Sequence, residues 1–135
     1  MTKPLPHPNA TTQPFWSGCQ QGRFELQRCE ACGHMQFPPR LACTSCHSGA
    51  LGWVNASGRG TVYSFTTVYR APIEAFKPDL PYIIAMIELE EGPRAMMNLR
   101  GADPERIAIG MEVEIFFEPP AADGGYPLPQ ARLRS

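Results

Sequence analysis

The spacing of four cysteines constrains this chain more than any other feature. They form two Cys-x-x-Cys pairs, Cys29 with Cys32 and Cys43 with Cys46, and ten residues lie between the pairs. A tight turn within each pair directs two thiolates toward one metal ion, and a second pair at this distance completes a tetrahedral site. Zn²⁺ accepts four thiolates without redox chemistry. Iron in a rubredoxin-like site and two disulfides are the alternatives that the spacing permits.

A site with four sulfur ligands has no open position for water or substrate, so we predict a structural zinc. Such a metal contributes about 10 kcal/mol or more of folding free energy at neutral pH, which a short ribbon with few apolar residues needs. His34 and His47 adjoin the ligands, but four cysteines already fill the coordination shell. The fifth cysteine, Cys19, has no histidine or other base near it in the sequence, and we interpret it as a small buried hydrophobe.

Length and charge narrow the function classes. The 135 residues provide room for one ordinary domain and a small module. The formal net charge is −1, and four thiolates on one Zn²⁺ add about −2 more. This balance argues against a protein that binds nucleic-acid phosphates through lysine and arginine. No apolar run is long enough for a membrane span, no signal peptide is evident, and reduced metal-binding cysteines fit a cytoplasmic location without a membrane partner.

We divide the chain into three parts. Residues 1–13 contain several prolines among polar neighbours and are predicted to be a disordered arm. Residues 14–52 are predicted to hold a short helix over residues 14–21 and the zinc ribbon. Two turns of helix are marginal alone in water, so Phe15 and Trp16 must dock against the body of the protein or another subunit. Residues 53–135 are predicted to form a β domain.

Five segments of the β domain have the alternation, or the β-branched and aromatic composition, of strands. They span residues 60–69, 82–89, 94–99, 111–117 and 128–133, and residues 103–107 form a helical turn between the third and the fourth. This plan is that of a five-stranded OB-fold barrel. We therefore predict a mainly β protein with an N-terminal short helix and a rubredoxin-like zinc ribbon before the barrel.

Two long connections, residues 70–81 and 119–127, join the first to the second and the fourth to the fifth predicted strand. OB folds contact ligands through these two loops. The first loop carries Ile73, Phe76 and Leu80, which form an interface or lid, or else plug the barrel end. We assign no catalytic residue, because the sequence holds no Ser/His/Asp set, no cysteine–histidine pair and no phosphate-cradling glycine loop.

Several motifs, taken in order, are similar to one known family. They are Phe15-Trp16-x-Gly18, the two cysteine pairs, Gln36-Phe37-Pro38-Pro39-Arg40, Gly58-Arg59-Gly60-Thr61-Val62-Tyr63-Ser64-Phe65, Pro81-Tyr82, Glu91-Gly92-Pro93-Arg94, Asn98-Leu99 and Ile109-Gly110-Met111. The chain resembles the zinc-ribbon and OB-fold proteins of domain-of-unknown-function family thirty-five. The resemblance extends from Phe15 to Arg132, and all four cysteines are retained although some members of the family have lost them.

The resemblance implies a function that the residues alone do not. Proteins of this family are typically encoded with thiolase-like enzymes, form tight complexes with them, and are implicated in acyl-CoA binding or in shaping the acyl-CoA channel. The expected function is a non-catalytic accessory subunit of a thiolase-like enzyme that makes or breaks C–C bonds in acyl-CoA by thiolytic, Claisen or aldol-type chemistry. The candidate contacts with the partner or acyl-CoA are Phe15, Trp16, Tyr69, Phe76 and Tyr82.

Two other functions remain as alternatives. A nucleic-acid-binding module is the first, because zinc ribbons and OB folds both serve that role. It needs basic residues interleaved with exposed aromatic residues along the second and third barrel strands, where only Arg94 and Arg100 lie at the margins. An autonomous enzyme is the second. Glu88, Glu90 and Glu91 are the carboxylates nearest to a paired arrangement, and a solvated face explains them better.

Overall fold

The computed structural model describes residues 3–120 and 125–134. Helix α1 spans Gln13–Gln20, and a 3-10 helix spans Glu74–Asp79. The strands are β1 Glu25–Cys29, β2 Met35–Gln36, β3 Leu51–Asn55, β4 Arg59–Val68, β5 Tyr82–Leu89, β6 Arg94–Arg100, β7 Glu112–Glu118 and β8 Leu128–Leu133. Each predicted strand therefore exists within one residue of its expected start and end. No helix of the described residues is long and apolar enough to cross a membrane.

Strands β4 to β8 close into a barrel in the order β4-β5-β6-β8-β7. All neighbours are antiparallel except β6 and β8, which run parallel. Alternation buries one face of β5 and of β6: the buried residues are Ile83, Ala85, Ile87 and Leu89 in β5 and Ala95, Met97 and Leu99 in β6. Gly60 lets β4 approach β5, since a Cβ there would lie 2.5 Å from the carbonyl oxygen of Glu88. The predicted OB-type barrel is confirmed.

Strands β1, β2 and β3 form the sheet of the ribbon, in the order β2-β1-β3. Strand β3 pairs with β1 along its whole length, so that Trp53 lies opposite Gln27. The ribbon sheet thus continues past the predicted boundary at residues 52 and 53. The sequence could not show this, because Trp53 and Val54 have the same composition as the barrel strands that follow.

An aromatic cluster joins the ribbon to the barrel. Phe15 from α1 contacts Phe24 and Phe37, with ring centroids 5.3 Å apart in both pairs. The backbone N–H of Ala56 donates a hydrogen bond of 2.8 Å to the carbonyl oxygen of Phe24. Phe15 and Phe24 belong to the same buried core as the barrel residues. Helix α1 therefore docks through Phe15 on the body of this protein. Of the two docking surfaces considered for the short helix, its own protein or another subunit, Phe15 uses the first.

The first long connection, residues 70–81, has both buried and exposed apolar side chains. Its 3-10 helix buries Ala75, whereas Ile73 is 44% exposed and Phe76 is half-buried. The predicted arm reaches this helix, because Lys3 Nζ lies 2.6 Å from Asp79 Oδ2. In the second long connection, residues 121–124 lie outside the described residues, as do residues 1 and 2 of the arm.

Candidate metal centre and partner surface

The four predicted zinc ligands come together in the ribbon. Their Sγ atoms all lie within 4.8 Å of one another, and the pairs Cys29–Cys46 and Cys32–Cys43 are 3.5 and 3.6 Å apart. A tetrahedral zinc with Zn–S bonds of about 2.3 Å needs sulfur atoms about 3.8 Å apart. All the cysteines are free thiols rather than disulfides. The cluster is therefore positioned to bind a structural metal ion, and its all-thiolate donor set fits zinc.

A left-handed residue closes the turn after each cysteine pair. Gly33 follows the first pair with φ of 80°, and His47 holds the same place after the second pair with φ of 66°. Glycine enters this region freely, whereas another residue pays about 1 kcal/mol. Both His34 and His47 are exposed, and His34 Nε2 lies 3.1 Å from Thr44 Oγ1. The histidines thus adjoin the cluster without supplying any of its four ligand atoms.

Backbone N–H groups stabilise two of the four thiolates. The N–H of Cys46 donates to Cys43 Sγ at 3.4 Å and lowers the pKa of that thiol to about 6. The N–H of Cys32 likewise donates to Cys29 Sγ at 3.5 Å and lowers its pKa. The N–H of His34 lowers the pKa of Cys32, but desolvation and the neighbouring thiols outweigh it and raise that pKa to about 12. A metal cation is needed to hold all four as thiolates, because like charges this close repel one another.

Two buried glutamines fix the loop that carries the second cysteine pair. Gln27 and Gln36 are each 5% exposed, and Gln36 Nε2 donates to Gln27 Oε1 at 2.8 Å. Gln27 also bonds both backbone groups of Arg40, at 2.9 and 2.8 Å. Gln36 Oε1 accepts the N–H of Thr44 at 2.9 Å, next to Cys43. This network holds the second pair in place relative to β1. Apart from the place of Gln36 in a family motif, nothing in the sequence indicates this network.

We expect Gln36→Leu to destabilise the zinc-bound protein by about 2–3 kcal/mol, because the N–H of Thr44 and Oε1 of the buried Gln27 each lose a partner. Urea unfolding of the holo-protein measures this loss. Gln20→Leu is the matched control, since Gln20 is exposed on α1, and should change stability by less than about 0.5 kcal/mol. Equal stability of the two variants would contradict a positioning role for the network.

Cys19 is confirmed as a buried side chain. It is 1% exposed, and burial, with a smaller contribution from the charge of Glu25, raises its pKa to about 12. At pH 8 such a thiol holds about a thousandfold less thiolate than a free cysteine. The folded state favours the neutral thiol of Cys19. This preference stabilises the folded protein fully below the ordinary thiol pKa of 9.0, and the stabilisation is lost as the pH rises toward about 12.

In the zinc-bound protein, iodoacetamide at pH 8 should therefore leave Cys19 unmodified over hours, and mass spectrometry of the digested protein detects any adduct. Unfolding in guanidinium with a chelator should make all five cysteines react within minutes. Rapid modification of Cys19 in the folded, metal-loaded protein would contradict the buried position.

Three candidate contacts lie along the first long connection. Tyr69 follows β4 and is 68% exposed. Phe76 and Tyr82 form a half-buried pair with ring centroids 6.2 Å apart, and Lys3 Nζ lies 5.8 Å from the Phe76 centroid. Phe76 also lines a cavity of about 360 Å³, whose polar wall includes Arg100 and Gln130. These aromatic residues are therefore accessible at one end of the barrel.

The other two candidates lie beside the barrel. Trp16 is half-buried, with its ring centroid 5.1 Å from that of Phe15 and 5.9 Å from that of Tyr126. Phe15 is only 4% exposed, so its aromatic ring supports Trp16 from below instead of offering a free surface. Both line a groove of about 390 Å³ between α1 and the barrel, which we call the α1 groove. Its remaining lining residues are Phe37, Ile84, Met96, Met97, Asn98, Leu128, Pro129 and Gln130.

The carboxylates Glu88 and Glu91 near the β5–β6 turn make contacts within the protein. Glu88 lies 3.9 Å from a guanidinium nitrogen of Arg94, and Glu91 Oε2 accepts the N–H of Ser57 at 2.7 Å. The second contact ties the link between the two modules to the turn. Neither carboxylate is paired with another acid in the way that acid–base catalysis on a sugar or an ester requires.

Comparison with known proteins extends these observations. A family model described as the rubredoxin-like zinc ribbon domain of ChsH2 matches residues 16–52, and one described as the C-terminal OB-fold domain of ChsH2 matches residues 53–118. Among solved structures, the "Ltp2-ChsH2(DUF35) aldolase" contains a chain with a TM-score of 0.83 and 36% identity, and the match covers 95% of this chain and 98% of that one.

Three curated relatives show the range of proteins to which this chain is similar. The 3-oxo-4,17-pregnadiene-20-carboxyl-CoA hydratase alpha subunit of Mycobacterium tuberculosis is 43% identical over 83% of this chain, which spans only 35% of that protein. A DUF35 domain-containing scaffold protein of Methanothermobacter thermautotrophicus is 37% identical over 76% of this chain and 78% of the relative. The benzoylsuccinyl-CoA thiolase subunit BbsA of Geobacter metallireducens is 35% identical over 68% and 60%.

The order of zinc ribbon and barrel, the four-cysteine site and the near-complete overlap with a chain of the Ltp2-ChsH2(DUF35) aldolase agree with one another. The chain belongs to the DUF35 family of zinc-ribbon and OB-fold proteins, the family of ChsH2.

Proposed function

We propose that this protein is a non-catalytic accessory subunit of an enzyme that acts on acyl-CoA, and that a thiolase-fold partner carries the reacting groups. The observation that carries the proposal is the match to nearly the whole ChsH2 chain of an aldolase complex. Relatives named as subunits of a hydratase and a thiolase, both acting on CoA thioesters by name, support it further.

The chemistry of the chain agrees with an accessory role. Its metal site is closed by four sulfurs and offers no position for substrate. Cys19, the remaining cysteine, is buried and protonated at neutral pH. The metal site therefore offers no open position for substrate, and Cys19 is not an activated nucleophile. The partner's reaction would be C–C bond formation or cleavage of the thiolytic, Claisen or aldol type, with this chain shaping the acyl-CoA site or channel.

We assign the contact with the partner or acyl-CoA to two neighbouring surfaces. The first comprises Tyr69, Phe76 and Tyr82 at the barrel end, and the second is the α1 groove with Trp16, supported by Phe15. The cavity beside Phe76 and the α1 groove share Asn98, Leu128 and Gln130, so one partner can cover both. Large aromatic side chains that are partly exposed dominate the energetics of protein interfaces.

Affinity purification of the tagged protein from its native host tests the proposal. We expect a thiolase-fold protein to be retained at a fixed stoichiometry, and the purified complex to turn over an acyl-CoA substrate that neither chain converts alone. Purification of this chain by itself, or acyl-CoA turnover by this chain alone, would contradict the accessory role.

A further inference from the structure

Strand β6 has an open edge. It pairs with β5 from Arg94 to Leu99, but it pairs with β8 only at Leu99 and Arg100. Among the described residues, no strand is paired with the other side of residues 94–98, although β8 lies beyond it. The barrel is thus closed by a short parallel contact at one end of β6 and left open along the rest of it.

The backbone of Met96 points toward this open edge. The N–H of Asn98 donates to the side-chain Oε1 of Gln130 at 3.1 Å, on the β8 side. Directions of the N–H groups alternate along a strand, so the N–H of Met96 faces the same side as that of Asn98. Gln130 satisfies Asn98, whereas the pairing of β6 with β8 begins only at Leu99 and does not reach Met96. Its side chain is 68% exposed.

The local sequence keeps the edge open. Pro129 in β8 has no N–H and therefore cannot extend the pairing with β6. A charged side chain on an edge strand disfavours pairing with a further strand, and Arg94 is the charged residue at this position. Its guanidinium, however, stacks 3.7 Å from the ring centroid of Tyr63 on β4. It also lies 3.9 Å from Glu88 on β5. Arg94 is therefore directed across the sheet, away from the side where another strand would approach.

The α1 groove runs along the open edge. Met96, Trp16 and Phe37 supply apolar surface on one side of it, and Leu128 and Pro129 supply it on the other. An extended segment laid along β6 places every second side chain in this groove. A helix would fill the groove as well, but it satisfies its own backbone and would leave the N–H of Met96 unpaired.

We propose that the open edge of β6 takes an additional β-strand, an extended segment of the partner subunit with an apolar side chain in the α1 groove. This inference rests on the proposed function, because it names the surface and the form of the partner segment. Backbone hydrogen bonds to Met96 supply affinity that does not depend on the partner's sequence, and the groove selects the apolar side chain.

Two substitutions at one position test the strand. Met96→Ala removes the side chain and keeps the N–H, whereas Met96→Pro removes the donor as well. Because this N–H faces away from β5, proline leaves the β5–β6 ladder intact and is tolerated on an open edge. We expect Met96→Pro to bind the purified partner about tenfold or more weakly than Met96→Ala, since a partner carbonyl oxygen loses its donor. Ile109→Ala, at a side chain that is 70% exposed, is the control and should bind like the wild type.

Hydrogen exchange of the wild-type protein gives a measurement that does not depend on how the variants fold. Complex formation should slow exchange in the peptide covering residues 94–98 by about a hundredfold or more, as expected for a newly paired edge amide. Equal affinity of Met96→Pro and Met96→Ala, or unchanged exchange in this peptide within an intact complex, would overturn the added strand while leaving the accessory role in place. Failure of the wild-type chain to bind any acyl-CoA enzyme would overturn both.

Discussion

Serine in place of Cys29 or Cys43 is expected to abolish stoichiometric zinc binding and to unfold the ribbon. These two ligands are each 1% exposed and accept backbone N–H groups, so each thiolate is fixed from the protein side as well as by the metal. A structural zinc contributes about 10 kcal/mol or more, and a three-thiolate site loses much of it. Metal analysis should fall from about one Zn per chain to near zero, and the thermal unfolding transition should become broad or disappear.

His34→Ala and Cys19→Ala are the controls for this result. His34 adjoins the cluster but supplies no ligand atom, and Cys19 lies in the core away from it. Both variants should keep full zinc content, with a stability loss of about 1–2 kcal/mol at most for the small cavity at Cys19. Two results would show that this chain does not need zinc to fold. One is a folded Cys43→Ser protein with a normal melting temperature, and the other is a folded wild-type protein that holds no metal after purification without chelator.

The second large effect is expected at the partner surface. Trp16→Ala and Phe76→Ala should each weaken association with the thiolase-fold subunit by about thirtyfold, a loss of about 2 kcal/mol, because partly exposed aromatic side chains anchor interfaces. Zinc content should stay at the wild-type value, since neither residue is among the four metal ligands. Partner affinity by calorimetry and melting temperature must be measured on the same preparations.

Phe24→Leu separates this effect from a loss of core packing. Phe24 is 3% exposed and packs against Phe15 and Phe37, so the variant should melt earlier while its folded fraction binds the partner normally. If Trp16→Ala and Phe76→Ala behave in the same way as Phe24→Leu, both side chains only complete the protein's own core. Their assignment to the interface would then be wrong.

The sequence predicted the fold well because its signals are local. Four cysteines at fixed spacing specify a metal site without reference to the rest of the chain, and the alternation of Ala95, Met97 and Leu99 specifies which face of β6 is buried. Gln27 and Gln36 could not be recognised, because a polar residue in a short ribbon has the same appearance whether it is solvated or hydrogen-bonded in the interior.

The candidate contacts were harder to judge for a different reason. A short amphipathic helix has one apolar stripe, and the sequence does not reveal whether the stripe meets its own chain or another one. The structure separates the two aromatic residues, since Phe15 enters the core while Trp16 stays half-buried beside it. The open edge of β6 was equally hidden, because it depends on where β8 stops pairing and not on the residues of β6.

The glutamine network links zinc binding to association with the partner. Gln36, which fixes the loop of the second cysteine pair, is followed directly by Phe37, which forms part of the α1 groove. Loss of metal should therefore disorder one side of the groove and lower the affinity for the partner. Thermodynamic reciprocity then requires that the bound partner raise the affinity for zinc by the same factor. Assembled complexes would retain their metal under chelation that strips the free subunit, so metal supply would limit new assembly before it harmed complexes already formed.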